Sequence, residues 1–310
     1  MTTKAEYAPA NFDTWAKAMR DHFECVAESS LPQADGPLGQ LAEAMRYAVL
    51  DGGKRVRALL VYAAGIVTMA HPKASDAAAL AIEYVHAYSL VHDDMPCMDN
   101  DVLRRGKPTA HVKFGESLAM LAGDALQPEA FKVIAASPMN DTQKAAVMSL
   151  LADASGFDGM CGGQAIDLLS VGKTIDSQTL KDMHARKTGA LIRAAVRMGA
   201  LCGQTSLAEA MMDKLDIYAA NLGLAFQVVD DILDTTADSA TLGKTAGKDE
   251  ANDKPTYVSL LGLETARAMA KECYDAALKA LDEIESQLGV SPLSTLRLRE
   301  LAHYIIGRNY

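Results

Sequence analysis

The chain contains 310 residues, 49% of them hydrophobic, and carries a formal net charge of −10. Phosphate backbones and anionic bilayers repel so acidic a protein, so no nucleic-acid partner is expected. The longest near-apolar stretch, Ala58–Ala70, is too short to cross a bilayer, the N-terminus has no apolar signal-type segment, and the five cysteines are scattered. These features predict a globular, cytoplasmic protein without a membrane span.

Apolar residues recur at helical spacing along most of the chain and predict an all-α fold. Breaks rich in Pro, Gly, Ser or Asp separate the apolar windows, and Ser75, Asp141 and Ser177 are the expected N-caps. No Pro/Ser-rich linker divides the chain, so residues 1–310 are predicted to form one domain of about ten helices, a bundle larger than four helices. The predicted helical windows are Leu41–Leu50, Val56–Met69, Ala77–His92, Ser117–Ile134, Thr142–Ala154, Thr179–Gly199, Ala208–Leu233, Thr256–Leu281 and Ser294–Ile306.

The first of two acidic clusters ends a predicted buried helix, in the string LVHDDMPCMDNDVLRRGKP. Asp93 and Asp99 are six residues apart, which is about 120° out of register on a regular helix. Pro96 lies between them and should interrupt the helix, so that Asp99 can turn back toward Asp93. Arg104 and Arg105 follow, which places positive charge beside the carboxylates.

The second acidic cluster, FQVVDDILD, ends another apolar helix. Asp230 and Asp234 are four residues apart and therefore share a helix face. Carboxylates held this close favour a bound cation, and oxygen ligands without a Cys/His set favour Mg²⁺. Helix caps or solvated faces would explain one such string, but two strings that both end apolar helices argue against that interpretation.

Cations surround these acidic clusters in the sequence. They occur in GGKRVR at residues 52–57, in LRRGKP, in RKTG at residues 186–189, and in the polar segment Thr235–Pro255. Because Mg²⁺ shares carboxylates with phosphate oxygens and arginine forks match phosphate, the combination predicts a polyphosphate substrate. The segment Thr235–Pro255 is too long for an idle connection and is predicted to be a lid over the site.

With these strings in view, the chain resembles the trans-isoprenyl diphosphate synthases, specifically the bacterial farnesyl diphosphate synthases and their close geranylgeranyl relatives. The resemblance begins near residue 38 and includes both aspartate strings, LRRGKP, GMCGGQAIDL and KTGALIRAAVRMGA. It implies an all-α bundle of the isoprenoid synthase type around a central apolar cavity, and a homodimer. It also implies condensation of isopentenyl diphosphate with dimethylallyl or geranyl diphosphate. The chain departs from the family pattern at Ala58, where a proline is usual, and in KPTYVSLLG after the predicted lid.

The resemblance assigns roles by position. Asp93 and Asp99 would hold two Mg²⁺ ions and Asp230 a third. The other implied positions fall into three groups: Arg104, Lys187, Lys244 and Lys254 at the allylic diphosphate; Lys54, Arg57, His86 and Arg105 at the diphosphate of isopentenyl diphosphate; and Thr188 and Gln227 facing the allylic cation.

Product length depends on the helix before Asp93. Tyr88 and Ser89 lie about one turn before the metal site, where a growing hydrocarbon would pass. A bulky Tyr88 should stop elongation at the C15 product, and an aromatic residue five positions before the first aspartate fits farnesyl synthesis in the family. A C20 product remains open, because MPCMDN also occurs in geranylgeranyl synthases. An inactive scaffold subunit is the remaining alternative, and a terpene cyclase would lack LRRGKP and GGKRVR.

Overall fold

The computed structural model describes residues 11–50, 52–173, 175–236 and 255–307, and in these ranges the regular structure is almost entirely helical. The prediction of an all-α fold is therefore confirmed. Apart from one two-stranded hairpin, the described ranges contain no sheet, and none of their helices is both long and apolar enough to span a membrane. The elements are α1 (Phe12–Ser30), α2 (Gly39–Val49), α3 (Val56–Val67), α4 (Pro72–Asp93), β1 (Leu103–Arg104), β2 (Lys107–Pro108), α5 (Ala110–Phe114), α6 (Glu116–Ala135), α7 (Asp141–Ser155), α8 (Met160–Ser170), α9 (Ser177–His184), α10 (Ala190–Leu201), α11 (Thr205–Thr236), α12 (Tyr257–Leu261), α13 (Leu263–Leu288) and α14 (Pro292–Ile306).

Four helices form the inside of the bundle. Ten of the twelve residues of α3 are buried, and α3 packs on α4 and α10. The alanine-rich α4 lets neighbouring helices approach closely. Helix α11 packs on α10 and α13. Helices α6, α7, α13 and α14 cover these four, and one hydrophobic cluster extends from Trp15 to Ile306. The bundle thus exceeds four helices, as the low polarity of its segments predicted.

Several element boundaries differ from the prediction. Helices α1 and α8 were not predicted, and the window Thr256–Leu281 is split into α12 and α13 by Gly262, whose φ is +81°. A positive φ cannot continue a right-handed helix, so the chain turns there. The window Thr179–Gly199 is continuous, but its centre widens into a π turn at Ala185–Gly189.

The predicted N-caps were close but not correct. Ser75 lies inside α4, which begins at Pro72 with the His71 side chain as its cap. A proline at the first helical position is favourable there because its missing N–H would have no helical partner. The caps of α7 and α9 are Asn140 and Asp176, each one residue before the residue predicted.

Candidate active site

A cavity of about 620 Å³ lies beside the C-terminal half of α4. Its apolar wall includes Leu90, Met95, Met120 and Met160, from α4, the turn after it, α6 and α8. The structure brings seven of the residues singled out from the sequence into this wall: Arg57, His86, Tyr88, Ser89, Asp93, Lys187 and Thr188.

Helix α4 ends at Asp93, and the chain then folds back on itself. The backbone N–H of Asp99 donates to the carbonyl of Asp93 at 2.9 Å, and the N–H of Asn100 donates to the carbonyl of Met95 at 3.1 Å. Pro96 lies in this turn, where its ring disfavours helical backbone in the preceding residue. The predicted interruption is confirmed, and it brings Asp99 back beside Asp93.

Asp93 lies partly buried beside other carboxylates, a position that is unfavourable for its negative charge. Burial, together with the neighbouring Asp99 and Asp94, raises the pKa of its carboxyl to about 6 against the opposing effect of Lys187 and Arg104. A carboxylate that is both desolvated and close to others is stabilised by a cation beside it. The carboxylate-only donor set of Asp93 and Asp99 therefore fits a hard divalent ion such as Mg²⁺.

Arg104 is held by a carboxylate that the sequence patterns did not single out. Its Nε donates to both carboxylate oxygens of Asp94, at 2.9 and 2.7 Å, and a terminal nitrogen donates to Oδ1 at 2.6 Å. Asp94 is buried, and these bonds raise the pKa of Arg104 against the opposing effect of its own burial. A forked pair of this kind fixes the guanidinium next to Asp93.

A tight hairpin carries Arg105 toward the glycines of GGKRVR. Arg105 and Gly106 are the two central residues between β1 and β2, with φ of 53° and 74°. Two positive φ values are typical of the type I′ turn, which a non-glycine residue adopts only under strain. The Arg105 guanidinium lies against Gly52 and Gly53, so closely that a Cβ on Gly52 would be 2.8 Å from it.

The segment with GGKRVR is anchored by a buried ion pair. Arg55 donates to Glu24 at 2.6 Å and to the buried Glu83 of α4 at 3.3 Å. The same Glu83 accepts the N–H of Ala58 at 3.2 Å, which ties the start of α3 to α4. Lys54 is exposed on this anchored segment.

The arginines around His86 make its surroundings positively charged, but they and burial keep the histidine itself neutral. Burial lowers the pKa of His86 well below its usual value, and Arg57, Arg105 and Arg104 lower it further. Burial also lowers the pKa of Arg57. A neutral imidazole among guanidinium groups can donate a hydrogen bond to an anion without adding to the repulsion between cations.

The π turn places Lys187 between α8 and the cavity. Its Nζ donates to the buried carboxylate of Asp167 at 2.5 Å. Helix α8 approaches the turn so closely that a Cβ on Gly163 would lie 2.2 Å from the backbone nitrogen of Lys187. A π turn inside a helix is a rare feature that often occurs at functional sites.

The second acidic cluster lies on α11. Asp230 is half-buried, whereas Asp231 and Asp234 are buried, and Asp231 accepts the backbone N–H of Tyr257 at 2.7 Å. A Cβ on Gly223 would lie 3.0 Å from the Cα of Gly189, so α11 packs directly on the π turn. Gln227 follows one helical turn later, on the same face of α11 as Gly223.

Other predicted residues are placed differently or lie outside the described ranges. Six predicted site residues are described by the structure but are not part of the cavity wall: Lys54, Asp99, Arg104, Arg105, Gln227 and Asp230. Lys244 and Lys254, and most of the predicted lid, fall outside the described residues. In the part of the chain that the structure describes, no three His, Cys, Asp or Glu side chains converge on one point. The carboxylates thus fit ions that take their remaining ligands from a substrate and water.

Three buried carboxylates support the site but were missed as functional residues: Asp94 and Asp167 hold Arg104 and Lys187, and Glu83 anchors the segment GGKRVR through Arg55. Glu83 is the only charged residue of the otherwise apolar run AAALAIEYVHAYSLV, and Asp167 is alone in MCGGQAIDLLSV. A single carboxylate inside an apolar helix is stable only with a partner, so this pattern could have identified both. The pattern could not have identified which cations they pair with.

A helical bundle around an apolar cavity, with carboxylate and cationic side chains in the cavity wall, defines the class of the isoprenoid synthases. A family model described as polyprenyl synthetase matches residues 39–289, and the chain belongs to that family. It is 50% identical over 272 residues to a farnesyl diphosphate synthase of Escherichia coli, and the match covers 87% of this chain and 89% of the relative.

Two further relatives extend the comparison. A chloroplastic geranylgeranyl pyrophosphate synthase of Capsicum annuum is 46% identical over 270 residues, which is 86% of this chain and 71% of the relative. The structure of a geranyltransferase from Helicobacter pylori, complexed with magnesium and isoprenyl diphosphate, superposes with a TM-score of 0.84. That protein is 31% identical, and the match covers 96% of this chain and 99% of the other.

Proposed function

We propose that this protein condenses isopentenyl diphosphate with dimethylallyl and geranyl diphosphate to make farnesyl diphosphate. The observation that carries the proposal is that Asp93, Lys187 and Arg57 line one apolar cavity, with the backbone of Asp99 hydrogen-bonded to that of Asp93. An apolar cavity suits a hydrocarbon tail, and the charged side chains in its wall suit diphosphates with their counter-ions. The similarity to farnesyl diphosphate synthases supports the same activity.

Asp93, Asp99 and Asp230 are the proposed ligands of Mg²⁺, with about three ions as the resemblance implies. When bound, Mg²⁺ stabilises the negative charge that develops on a departing diphosphate. The protein's own contribution is to hold these carboxylates in fixed positions. The interrupted end of α4 does this for Asp93 and Asp99, and the continuous helix α11 does it for Asp230.

The cations divide into two proposed groups. Lys187 and Arg104, with Lys244 and Lys254, would neutralise the allylic diphosphate as its C–O bond ionises. Lys187 and Arg104 are each held by a buried carboxylate, Asp167 or Asp94, so they are already oriented before substrate binds. The second group, Lys54, Arg57, His86 and Arg105, would bind the diphosphate of isopentenyl diphosphate.

After ionisation, the double bond of isopentenyl diphosphate attacks the allylic cation, and the product forms when a proton leaves to the departing diphosphate. Thr188 and Gln227 would direct their oxygens toward the cation and stabilise it. The methionines and leucines of the cavity wall exclude water, which would otherwise trap the carbocation as an alcohol.

Tyr88 is the proposed floor that limits the product to C15. Its ring is 5% exposed and lines the cavity, one turn before Asp93. If Tyr88 ends the cavity, Tyr88→Ala should extend the main product from C15 to C20 when geranyl and isopentenyl diphosphate are supplied. An unchanged product profile would exclude Tyr88 as the floor. Ser89, the other residue predicted here, also lines the cavity.

The experiment that tests the activity supplies isopentenyl diphosphate and geranyl diphosphate to the purified protein with Mg²⁺. Diphosphate release and chromatography of the extracted products are measured together. A C15 product supports the proposal, a C20 product favours the geranylgeranyl alternative, and no release of diphosphate favours an inactive scaffold subunit.

We also propose a homodimer, as the resemblance implies. Light scattering from the purified protein should give twice the mass of the 33.0 kDa chain. A mass of one chain over the working concentration range would contradict the proposed dimer without affecting the proposed activity.

A further inference from the structure

Tyr88 is held from two sides by residues on the cavity wall. Its hydroxyl lies 3.6 Å from Sγ of Cys161 on α8, across the cavity from α4. Its ring meets the imidazole of His92 edge to face, with centroids 5.8 Å apart and planes at 68°. One contact fixes the tip of the side chain, and the other fixes the flank of its ring.

His92 is itself held in place. Its Nε2 lies 3.1 Å from the carbonyl oxygen of Met120 on α6. Gly123 leaves the space that the imidazole occupies, because a Cβ on that residue would be 2.2 Å from Nε2. The imidazole cannot yield toward α6, so it is a firm support for the ring of Tyr88.

The contact with Cys161 therefore decides whether Tyr88 stays across the cavity. A tyrosine at the edge of a large cavity has an alternative, because its ring can rotate about two torsions into the open volume. The phenol hydroxyl needs a hydrogen-bond partner when it is buried, and Cys161 supplies one on the far wall. Burial and this contact both raise the pKa of Tyr88, so the hydroxyl stays protonated and can donate to Sγ.

We propose that Cys161 is a positioning residue for product length, which acts by holding the hydroxyl of Tyr88 across the cavity. The proposal rests on Tyr88 being the floor for the C15 product, and it adds a determinant on α8, outside the helix that carries the first aspartate cluster. Without this contact, Tyr88 leaves the path of the hydrocarbon for part of the time, and elongation to C20 begins.

The test separates the hydrogen bond from the space that the thiol fills. Cys161→Val keeps a similar volume and removes the partner, whereas Cys161→Ser keeps a partner in a smaller side chain. Tyr88→Phe removes the same contact from the other side. Each variant is supplied with geranyl and isopentenyl diphosphate, and the ratio of C20 to C15 product is measured along with total turnover.

We expect Cys161→Val and Tyr88→Phe each to raise the C20 to C15 ratio by about twofold to fivefold, the factor that a hydrogen bond to the weak partner sulfur contributes. Cys161→Ser should restore the wild-type ratio. Because both single changes remove one interaction, the double variant should shift the ratio no further than either alone. Cys25→Ser, at an exposed thiol on α1, is the control and should leave the ratio unchanged.

The outcomes distinguish this proposal from the one on which it rests. If Tyr88→Ala lengthens the product but Cys161→Val and Tyr88→Phe do not, Tyr88 is the floor and the role of Cys161 is wrong. If Tyr88→Ala leaves the product at C15, both proposals fail. A loss of total turnover with an unchanged ratio would indicate a merely structural role and would also overturn the proposal.

Discussion

Lys187 and Asp167 show how one residue of the site depends on another. The ammonium group of Lys187 lies at the cavity wall with 26% of its side chain exposed, and the carboxylate of Asp167 behind it is only 7% exposed. The carboxylate fixes the direction of a flexible four-carbon side chain. A lysine held in this way can stabilise negative charge at the cavity without first losing conformational freedom.

Asp167→Asn should therefore impair catalysis more than folding. Because the amide cannot hold the ammonium group by charge, we expect kcat/KM to fall about 100-fold and the free energy of unfolding to fall by about 2 kcal/mol. Steady-state kinetics and urea unfolding measure the two quantities. Asp153→Asn, at an exposed aspartate of α7, is the control. Kinetics equal to wild type would show that Lys187 does not need this partner.

His184 gives the protein a dependence of stability on pH. Burial lowers the pKa of its imidazole to about 4, and the ring stacks on Tyr257 with centroids 5.3 Å apart. In an unfolded chain the pKa of histidine is about 6.5. Since the folded value is the lower one, the contribution to stability is present above pH 6.5 and is lost as the pH falls toward 4.

Between pH 7 and pH 5, we expect the wild-type free energy of unfolding to fall by about 2 kcal/mol more than that of His184→Gln. Urea unfolding at the two pH values measures the difference. His303→Gln, at an exposed histidine of α14, should keep the wild-type dependence. The same pH dependence in His184→Gln and in wild type would contradict the assignment to this imidazole.

At the scale of elements, the site is organised by irregularities in otherwise regular helices. Helix α4 stops at Asp93, the α9–α10 helix widens at the π turn, and the hairpin places Arg105 at positive φ. Proline in MPCMDN predicted the first of these, because its effect on the helix is local. The π turn follows from the packing of α8 and α11 against it, which local sequence patterns do not contain.

Gly163→Ala should displace the π turn from α8. The added methyl group would lie 2.2 Å from the backbone nitrogen of Lys187, so we expect the free energy of unfolding to fall by about 1–3 kcal/mol and kcat/KM to fall as well. Gly189→Ala is the matched control in the π turn, since the nearest heavy atom to its Cβ would be 3.5 Å away. Equal effects of the two changes on stability and kinetics would contradict this account.

At the scale of the whole molecule, the end of α4 and α11 each contribute carboxylates to the same helical bundle, but these carboxylates do not form a complete metal-binding site. Among the described residues no single point gathers three such ligands. Mg²⁺ alone should therefore bind weakly, and Mg²⁺ with a diphosphate should bind well, because phosphate oxygens complete the coordination.

This difference should appear in thermal unfolding. We expect 5 mM Mg²⁺ alone to change Tm very little, and Mg²⁺ with inorganic diphosphate to raise it by about 4 °C when both are near saturation. Asp93→Asn should lose most of the rise, whereas Asp153→Asn should keep it. An equal rise with Mg²⁺ alone would show that the carboxylates form a complete site without the anion.

The sequence by itself determined the helical class, the interruption at Pro96 and the residue types of the site. These depend on periodicity, on the local geometry of proline and on the chemistry of carboxylates and guanidinium groups, all of which act over a few residues. The tertiary structure alone decided that Asp94 holds Arg104, that Asp167 holds Lys187 and that Cys161 meets Tyr88. The last two pairs join α8 to residues 20 and 73 positions away, and such contacts depend on how helices pack, which no local pattern encodes.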